Sequence, residues 1–270
     1  MPSYKILKKL EEIGFSGSAK KVPYITDEPK IPYFLCHPNE KARSKYNAES
    51  SFGQGFHPDE NLARIKSVGE FLERLCLDNP QKKDLKLSRK KESFIDPGLF
   101  CVYSEEQVPS QKDFIEECRN QQYQWYPVEN LYEEFKVYIP AQLIFLSTLF
   151  YDEFPIRGER ISTGTAFGDI GTKRALQSGL LESVERDACI SAYLMKRDLP
   201  RIVELPQSIE ELLTYLKRYN LEPYVFDATS DLGIPTSLTV TLDRTGIGPA
   251  VEIGTASAFD YKEAIHKSVL

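Results

Sequence analysis

The feature that most constrains this chain is a pattern that occurs twice, about 110 residues apart, as expected of an internal structural repeat. Each copy runs from a serine–glycine segment through an alanine to the motif E-x-x-E-R, and its first glutamate lies seven residues after the alanine. Such a repeat predicts one supersecondary unit that is used more than once. In the two copies, the alanine, the glutamates and the arginine are Ala63, Glu70, Glu73 and Arg74, then Ala175, Glu182, Glu185 and Arg186.

A third copy begins near the end of the chain. Gly254-Thr-Ala256 matches Gly164-Thr-Ala166 of the second copy, and an amphipathic helical pattern follows from Ala264 to Leu270. Counting seven residues from Ala264 leads to position 271, one residue after the last. We therefore expect a single domain over residues 1–270 that is truncated at its C-terminus, with a glutamate as the next residue of the natural chain.

The repeated glutamate pairs suit a divalent cation. Residues at i and i+3 of a helix share a face, so two carboxylates project together and repel each other unless a cation lies between them. Mg²⁺ takes one or two protein carboxylates and completes its octahedron with water and phosphate oxygens. A glycine-containing loop that opens a helix offers backbone N–H groups to phosphates. Two such helices facing each other are predicted to hold a metal–nucleotide cluster.

The same glutamates also have a purely structural interpretation. They lie roughly opposite the apolar stripe of each helix, where a solvated face places acidic residues in any case. A single E-x-x-E would be explained in this way. The occurrence of two copies, each behind a similarly placed S-x-G segment, favours a binding site.

The order of elements predicts an α+β fold with mixed or antiparallel sheets. Glycine-rich stretches predict loops over residues 50–59 and 162–169, and a surface insertion or connector is expected over residues 81–122. The predicted helices cover residues 4–13, 60–77, 113–122, 172–194 and 209–219, and the predicted strands cover residues 30–36, 125–126, 136–139, 222–227, 236–242 and 250–253.

Composition excludes several classes of protein. The formal net charge of −6 argues against a nucleic-acid surface, which needs a basic face. No apolar run approaches the roughly 20 residues of a membrane span, and the N-terminus lacks the apolar core of a signal peptide, so we expect a cytoplasmic protein. Five cysteines without a C-x-x-C pair and three histidines without H-E-x-x-H argue against a zinc site of ordinary spacing.

On these motifs the sequence resembles the YcaO family, whose members couple ATP to the modification of peptide-backbone amides. The most specific part is the helix over residues 180–188, and the resemblance runs from about residue 31 to the end. The matching segments are residues 51–55 with the helix to Arg74, residues 162–166 with the helix to Asp187, Trp125 before residues 137–141, residues 227–235, and residues 254–270.

The resemblance implies pseudo-symmetric strand–loop–helix units around an ATP site that has no P-loop. It also implies attack on a backbone amide by a Cys, Ser or Thr side chain or by external sulfide, with phosphorylation of the amide oxygen by ATP and formation of an azoline or a thioamide. By motif position, the Mg²⁺ ligands would be Glu70, Glu73, Glu182 and Glu185, and the nucleotide contacts would be Ser51, Gln54, Arg74 and Arg186.

The sequence departs from the family pattern in two places. Gln54 stands where family members usually carry lysine, so a cationic phosphate contact is missing or is supplied by Lys66 or Lys173. The C-terminal glutamate, glutamine and arginine positions of the family site lie beyond Leu270, and we expect weak ATP binding and little turnover from a chain that ends there.

The first functional hypothesis is therefore an ATP- and Mg²⁺-dependent enzyme that modifies a ribosomal peptide or a protein. It would act with a separate leader-binding or sulfur-delivery partner protein, without nucleic acid or membrane, and a homodimer is left open. The second hypothesis is a non-catalytic accessory or scaffold subunit of the same fold. The third is an ATP-dependent ligase or kinase that acts on a small molecule.

Overall fold

The computed structural model describes residues 19–25, 27–46, 51–87, 93–101, 103, 106, 110–133, 135–156 and 172–270. These residues group into two compact units. The first unit takes those within 1–37, 53–71 and 163–270, and the second takes those within 38–52 and 72–162. Over the described residues the helices are α1 (Glu40–Lys45), α2 (Glu60–Asp78), α3 (Gln111–Asn120), α4 (Thr172–Leu194), α5 (Gln207–Lys217) and α6 (Tyr261–Val269). The strands are β1 (Ala19–Lys21), β2 (Tyr33–Cys36), β3 (Gly53–Phe56), β4 (Trp125–Glu129), β5 (Lys136–Pro140), β6 (Leu221–Asp227), β7 (Thr236–Asp243) and β8 (Val251–Ser257).

The first unit contains two three-stranded antiparallel sheets, ordered β1-β2-β3 and β6-β7-β8. In each sheet the last strand leads directly into a helix, because β3 is followed by α2 and β8 by α6. An aspartate caps each of these helices. The Asp59 carboxylate accepts backbone N–H bonds from Asn61 and Leu62 at 2.8 and 3.0 Å, and that of Asp260 accepts one from Glu263 at 3.0 Å.

Helices α4, α5 and α6 cover the second sheet. Helix α5 packs on β6, α6 packs on β7 and β8, and α4 packs on β8. Helices α5 and α6 share a core with β6, a cluster of Ile209, Leu213, Val225 and Ile265, whose burial contributes about 1.5–3 kcal/mol per side chain. The apolar spacing along α5 and α6 therefore fixes both helices against the sheet.

One close approach recurs in the two strand–helix pairs. A Cβ atom added to Gly53 in β3 would lie 2.0 Å from the backbone oxygen of Ser67 in α2, and a Cβ atom on Gly254 in β8 would lie 2.0 Å from the backbone oxygen of Ser268 in α6. Each strand therefore lies directly on the backbone of the helix that follows it, and this leaves no room for a side chain at either glycine.

The second unit is organised around the antiparallel hairpin β4–β5. The Trp125 ring packs edge-on against those of Phe94 and Tyr123, with centroids 4.8 and 6.1 Å apart. Single β-bridges join Lys86 to Trp125 and Phe94 to Tyr138. Parts of the segment 81–122 are thus tied to both strands of the hairpin.

Most elements predicted from apolar periodicity are confirmed. The helix over residues 172–194 has the predicted bounds, and the long helix over 60–77 extends by one residue to Asp78. The α+β class is confirmed, and every strand ladder within the described ranges is antiparallel. The helix predicted over residues 4–13 and the loop over 162–169 lie outside the described residues. The single domain over 1–270 and the surface connector over 81–122 stay predictions.

The loop predicted over residues 50–59 is wrong in its centre, where residues 53–56 form β3. The strand predicted over 250–253 continues to Ser257, so the third copy's Gly254-Thr-Ala256 is strand as well. The physical reason is the close approach to the following helices, which demands glycine within a strand. Sequence reasoning assigns glycine to loops by default.

Candidate functional site

A cavity of about 470 Å³ lies in the first unit, where segments of all three sequence copies meet. Its walls come from strands β2, β3 and β8 and from helices α2, α4 and α6. We call it the glutamate cavity. It is lined by Tyr33, Gln54, Gly55, Phe56, Lys66, Ser178, Leu181, Glu182, Glu185, Thr255, Ala256, Ser257, Lys267 and Leu270.

Two of the predicted metal ligands, Glu182 and Glu185, line this cavity from helix α4. They are three residues apart and therefore share one face of the helix. The hydroxyl of Thr255 donates a hydrogen bond of 2.5 Å to Oε1 of Glu185. Oε1 of Glu182 lies 3.8 Å from Nε of Arg186, a long ion pair at the i,i+4 spacing. Arg186 is thus placed beside a glutamate of the cavity, although it does not line the cavity itself.

Gln54 lines the cavity and holds a third predicted ligand at its edge. The backbone N–H of Gln54 donates to Oε2 of Glu70 at 2.7 Å, and Tyr33 donates its hydroxyl proton to Oε1 of Gln54 at 2.6 Å. Burial, and then the charge of Glu70, raise the pKa of Tyr33, so the phenol stays a neutral donor. Glu70 is therefore fixed next to the cavity without lining it.

Two lysines bring positive charge to the same cavity. Lys66 of α2 donates to the backbone oxygen of Phe56 at 3.3 Å, and Lys267 of α6 forms an ion pair of 2.7 Å with Glu263. Loss of solvent, and then the charge of Lys267, lower the pKa of Lys66. Of the two lysines that sequence analysis offered as a substitute cation, Lys66 lines the cavity and Lys173 does not.

The remaining predicted residues fall in the second unit. Ser51 is buried, and its hydroxyl donates to the carboxylate of Asp78, which is buried as well. The guanidinium of Arg74 lies 5.9 Å from the ring centroid of Phe52. Glu73 directly precedes Arg74 in α2. Roles of Ser51, Glu73 and Arg74 at a metal or a nucleotide stay predictions.

The donor set of the cavity fits magnesium bound together with phosphate. Within the part of the chain that the structure describes, no group of three or more His, Cys, Asp or Glu side chains could hold a metal ion. Mg²⁺ needs only one or two carboxylates when phosphate oxygens and water complete its shell. Glu182 and Glu185 are such a pair, and the cavity also supplies lysines for the remaining phosphate charge.

Sequence reasoning missed five polar residues of the cavity: Tyr33, Ser178, Thr255, Ser257 and Lys267. The repeat held a signal for two of them. Lys66, Ser178 and Lys267 each follow the repeated alanine by three residues, and all three line the cavity. Nothing in the sequence pointed to Tyr33, which reaches the site only through the pairing of β2 with β3.

The fold and the cavity define an α+β protein in which a carboxylate pair of α4 shares one space with lysines of the strand–helix pairs β3–α2 and β8–α6. A family model described as YcaO cyclodehydratase, ATP- and Mg²⁺-binding, matches residues 52–270. The chain therefore belongs to the YcaO family, and ATP and Mg²⁺ are the ligands of that family. None of the described helices is long and apolar enough to span a membrane.

Solved structures share this fold at low sequence identity. A heterocyclase in complex with substrate and cofactor has a TM-score of 0.74 and 18% identity, over 97% of this chain and 39% of that chain. YcaO from Methanopyrus kandleri, bound with AMPPCP and Mg²⁺, has a TM-score of 0.70 and 16% identity, over 99% of this chain and 65% of that one. The E. coli microcin synthetase McbBCD complex has a TM-score of 0.66 and 18% identity, over 93% of this chain and 61% of that one. This chain thus spans between 39% and 65% of the length of these relatives. Comparison with curated proteins gives no match.

Proposed function

We propose that this protein uses ATP and Mg²⁺ to activate a backbone amide of a ribosomal peptide or a protein. The observation that carries the proposal is the glutamate cavity, in which the Glu182–Glu185 pair and two lysines share one space. Magnesium and phosphate together need this combination of negative and positive side chains. Membership of an ATP- and Mg²⁺-binding family supports the same conclusion.

Glu182 and Glu185 would hold Mg²⁺ at the nucleotide phosphates. Thr255 orients the Glu185 carboxylate through its hydrogen bond, and Gln54 does the same for Glu70. ATP supplies the phosphoryl group that makes the amide oxygen a leaving group. The contribution of the protein is to position the charged groups and to neutralise the charge that develops during transfer.

The product follows from the nucleophile. A Cys, Ser or Thr side chain of the substrate adds to the amide carbon, the oxygen leaves as phosphate, and an azoline ring remains with the net loss of one water. Sulfide in place of the side chain gives a thioamide, in which sulfur replaces oxygen. We propose a separate partner protein that captures the substrate's leader or delivers sulfur, and a cytoplasmic location; the McbBCD complex is a structural relative that contains several proteins.

A second candidate function is a non-catalytic accessory subunit. The observation that favours it is Gln54, a neutral side chain that lines the cavity and whose amide oxygen is engaged by Tyr33. An accessory subunit would keep the fold and the partner surface without binding the nucleotide.

Calorimetric titration of the full chain with ATP, with and without Mg²⁺, separates these candidates. The enzyme hypothesis expects Mg²⁺-dependent binding that Glu182→Gln and Glu185→Gln each weaken by at least tenfold, the loss expected when one charge-assisted contact is removed. Glu210→Gln is the matched control, because Glu210 is exposed on α5 and does not line the cavity. Normal binding by both cavity variants would refute the metal assignment.

The reaction itself is tested by mass spectrometry. Candidate peptides are incubated with the full chain, its partner protein, ATP and Mg²⁺, with Glu182→Gln as the inactive control. Loss of water identifies an azoline, and exchange of oxygen for sulfur identifies a thioamide. Consumption of ATP without any change in peptide mass would favour a small-molecule ligase or kinase.

A further inference from the structure

Helix α3 of the second unit packs against a short 3-10 turn, Pro97–Phe100. Asp96 caps this turn by accepting a hydrogen bond of 3.0 Å from the backbone N–H of Gly98, and its carboxylate also accepts from Nε of Arg119 at 2.9 Å. A Cβ atom added to Gly98 would lie 2.9 Å from Cγ2 of Ile115. Ile115 and Arg119 are four residues apart, so one face of α3 contacts the turn.

This packing brings two thiols together. Cys101 directly follows the turn, and Cys118 lies on the contacting face of α3, one residue before Arg119. Their Sγ atoms are 3.8 Å apart, although the two residues are separated by 17 positions in the sequence. A disulfide bond is about 2.0 Å long, so the sulfurs need to approach by about 1.8 Å, which rotation of the two side chains can supply.

The two thiols differ in access to solvent. Cys118 is fully buried, whereas Cys101 is partly exposed. A small reagent therefore reaches Cys101 first, and Cys118 reacts only with a group that Cys101 already carries. Buried thiols can also serve as small apolar side chains. A contacting pair with one accessible member is, in addition, the arrangement that thiol–disulfide exchange requires.

The hydroxyl of Tyr123 lies next to the buried thiol. It is buried and has no hydrogen-bond partner among the residues that the structure describes. Burial, and then Cys101, raise the pKa of Cys118 to about 12, whereas the Tyr123 hydroxyl acts in the opposite direction by donating to the thiolate. Burial, and then the charge of Cys118, raise the pKa of Tyr123, so the phenol stays a neutral donor. Tyr123 can therefore stabilise a thiolate at Cys118.

We propose that Cys101 and Cys118 form a thiol–disulfide exchange site, which reacts with a low-molecular-weight disulfide such as glutathione disulfide and closes to an internal disulfide. The site belongs to the second unit, and the inference does not rest on the proposed function. In a reducing compartment the pair stays a dithiol, and the disulfide forms when the oxidised share of the small thiol rises.

The reaction takes place in two exchange steps. The Cys101 thiolate attacks one sulfur of glutathione disulfide, the S–S bond of the reagent breaks, and the first glutathione leaves with the proton that Cys101 has lost. The Cys118 thiolate then attacks Sγ of Cys101, and the second glutathione leaves with the proton of Cys118. Two protein thiols are thereby oxidised to one disulfide, and one glutathione disulfide is reduced to two thiols.

The experiment treats the full chain with glutathione disulfide, blocks the remaining thiols with iodoacetamide and maps the peptides without reduction. We expect a linked peptide pair that contains Cys101 and Cys118, with the loss of two hydrogens per chain, and dithiothreitol should reverse the change. Absence of this link at every ratio of glutathione disulfide to glutathione would overturn the proposal. A link from Cys101 to any other cysteine in its place would overturn it as well.

Single variants separate the two steps. Cys118→Ser should stop the reaction at a mixed disulfide between Cys101 and glutathione, whereas Cys101→Ser should leave Cys118 unmodified. Cys76→Ser is the matched control, because Cys76 is exposed on α2 and its loss should leave the link unchanged. Glutathione attached to Cys118 in the Cys101→Ser variant would contradict the assigned order of attack.

Tyr123→Phe tests the hydroxyl. The ring stays in its cluster with Trp125 and Ile156, and the hydroxyl has no hydrogen-bond partner among the described residues, so the melting temperature of the dithiol form should not fall. The second step should slow by about tenfold, as expected when a hydrogen bond to a charged group is lost, and the first step should keep its rate. A second step at the wild-type rate would refute the role of Tyr123.

Melting of the oxidised chain provides a readout that needs no variant. The disulfide closes a loop in the unfolded chain and should raise the melting temperature of the wild type by about 5 °C. A lower melting temperature after oxidation would show that the link forms only when the contact between α3 and the turn is distorted, and would overturn the proposal.

Discussion

The hydroxyl of Thr255 donates a hydrogen bond of 2.5 Å to Oε1 of Glu185, 70 residues away in the sequence. The bond joins strand β8 to helix α4 and fixes the carboxylate within the glutamate cavity. A carboxylate accepts at both oxygens, so Glu185 keeps the capacity to bind a cation while its side chain is oriented. Thr255 thus acts as a positioning residue for a predicted metal ligand.

Thr255→Val should reduce the free energy of unfolding by about 1.5 kcal/mol, because it removes a hydrogen bond to a charged group. Combined with Glu185→Ala in a double-mutant cycle, it should show a coupling of about 1 kcal/mol, since both changes delete the same bond. Urea unfolding of the wild type, the two single variants and the double variant measures this coupling free energy. Thr241→Val, on the neighbouring strand and outside the glutamate cavity, is the control. Additive effects of the two changes would contradict the bond.

Ser51→Ala should destabilise the protein by about 2 kcal/mol, because it removes a donor from the buried carboxylate of Asp78. Ser44→Ala, at an exposed position of α1, should change the stability by less than about 0.5 kcal/mol. Thermal and urea unfolding provide the comparison. ATP titration of the same variants then tests the predicted nucleotide role, since loss of affinity at unchanged stability would assign Ser51 to the nucleotide instead.

Gly254→Ala should cost about 3 kcal/mol of stability, because its Cβ would meet the backbone oxygen of Ser268, which cannot move without displacing α6. Gly233 has φ of 68° and open space around its Cβ position, so Gly233→Ala should cost only about 1 kcal/mol, from backbone strain alone. Circular dichroism during denaturant unfolding measures both. Equal losses in the two variants would argue against the close strand–helix contact.

Thiol labelling should proceed first at Cys76, which is exposed, and last at the buried Cys118 and Cys189. Burial raises the pKa of Cys118 to about 12 and that of Cys189 to about 11, so neither forms much thiolate near pH 8.

The folded state holds the thiol protons of Cys118 and Cys189 more tightly than the unfolded state. Its stability should therefore fall as the pH rises from about 9, the ordinary thiol value, through about 11 to 12. Labelling with an aromatic disulfide reagent, followed by peptide mapping, tests the order, and early modification of Cys118 would contradict it.

The sequence was enough to predict the long helices and the two glutamates that line the glutamate cavity. Helical periodicity predicted the bounds of α2 and α4 to within one residue. This is possible because the apolar residues of an amphipathic helix recur at helical spacing along its own sequence. The long-period repeat marked Glu182 and Glu185, which line the cavity, and also Glu70 and Glu73, which do not. The same repeat contained Lys267, whose place in the cavity was not visible before helix α6 was placed on its sheet.

Tertiary structure alone decided which of these side chains share a space. The glycines of β3 and β8 are typical of loops in the sequence, but their pairing with β2 and β7 shows that they are strand residues. Their contact with helix backbones explains why glycine is required there. Tyr33 and Thr255 reach the cavity through sheet pairing with distant segments. Ser51 matched a functional motif and proved to be bound to a buried carboxylate. A sequence records local periodicity, whereas charge pairing and cavity walls depend on contacts between segments that lie far apart along the chain.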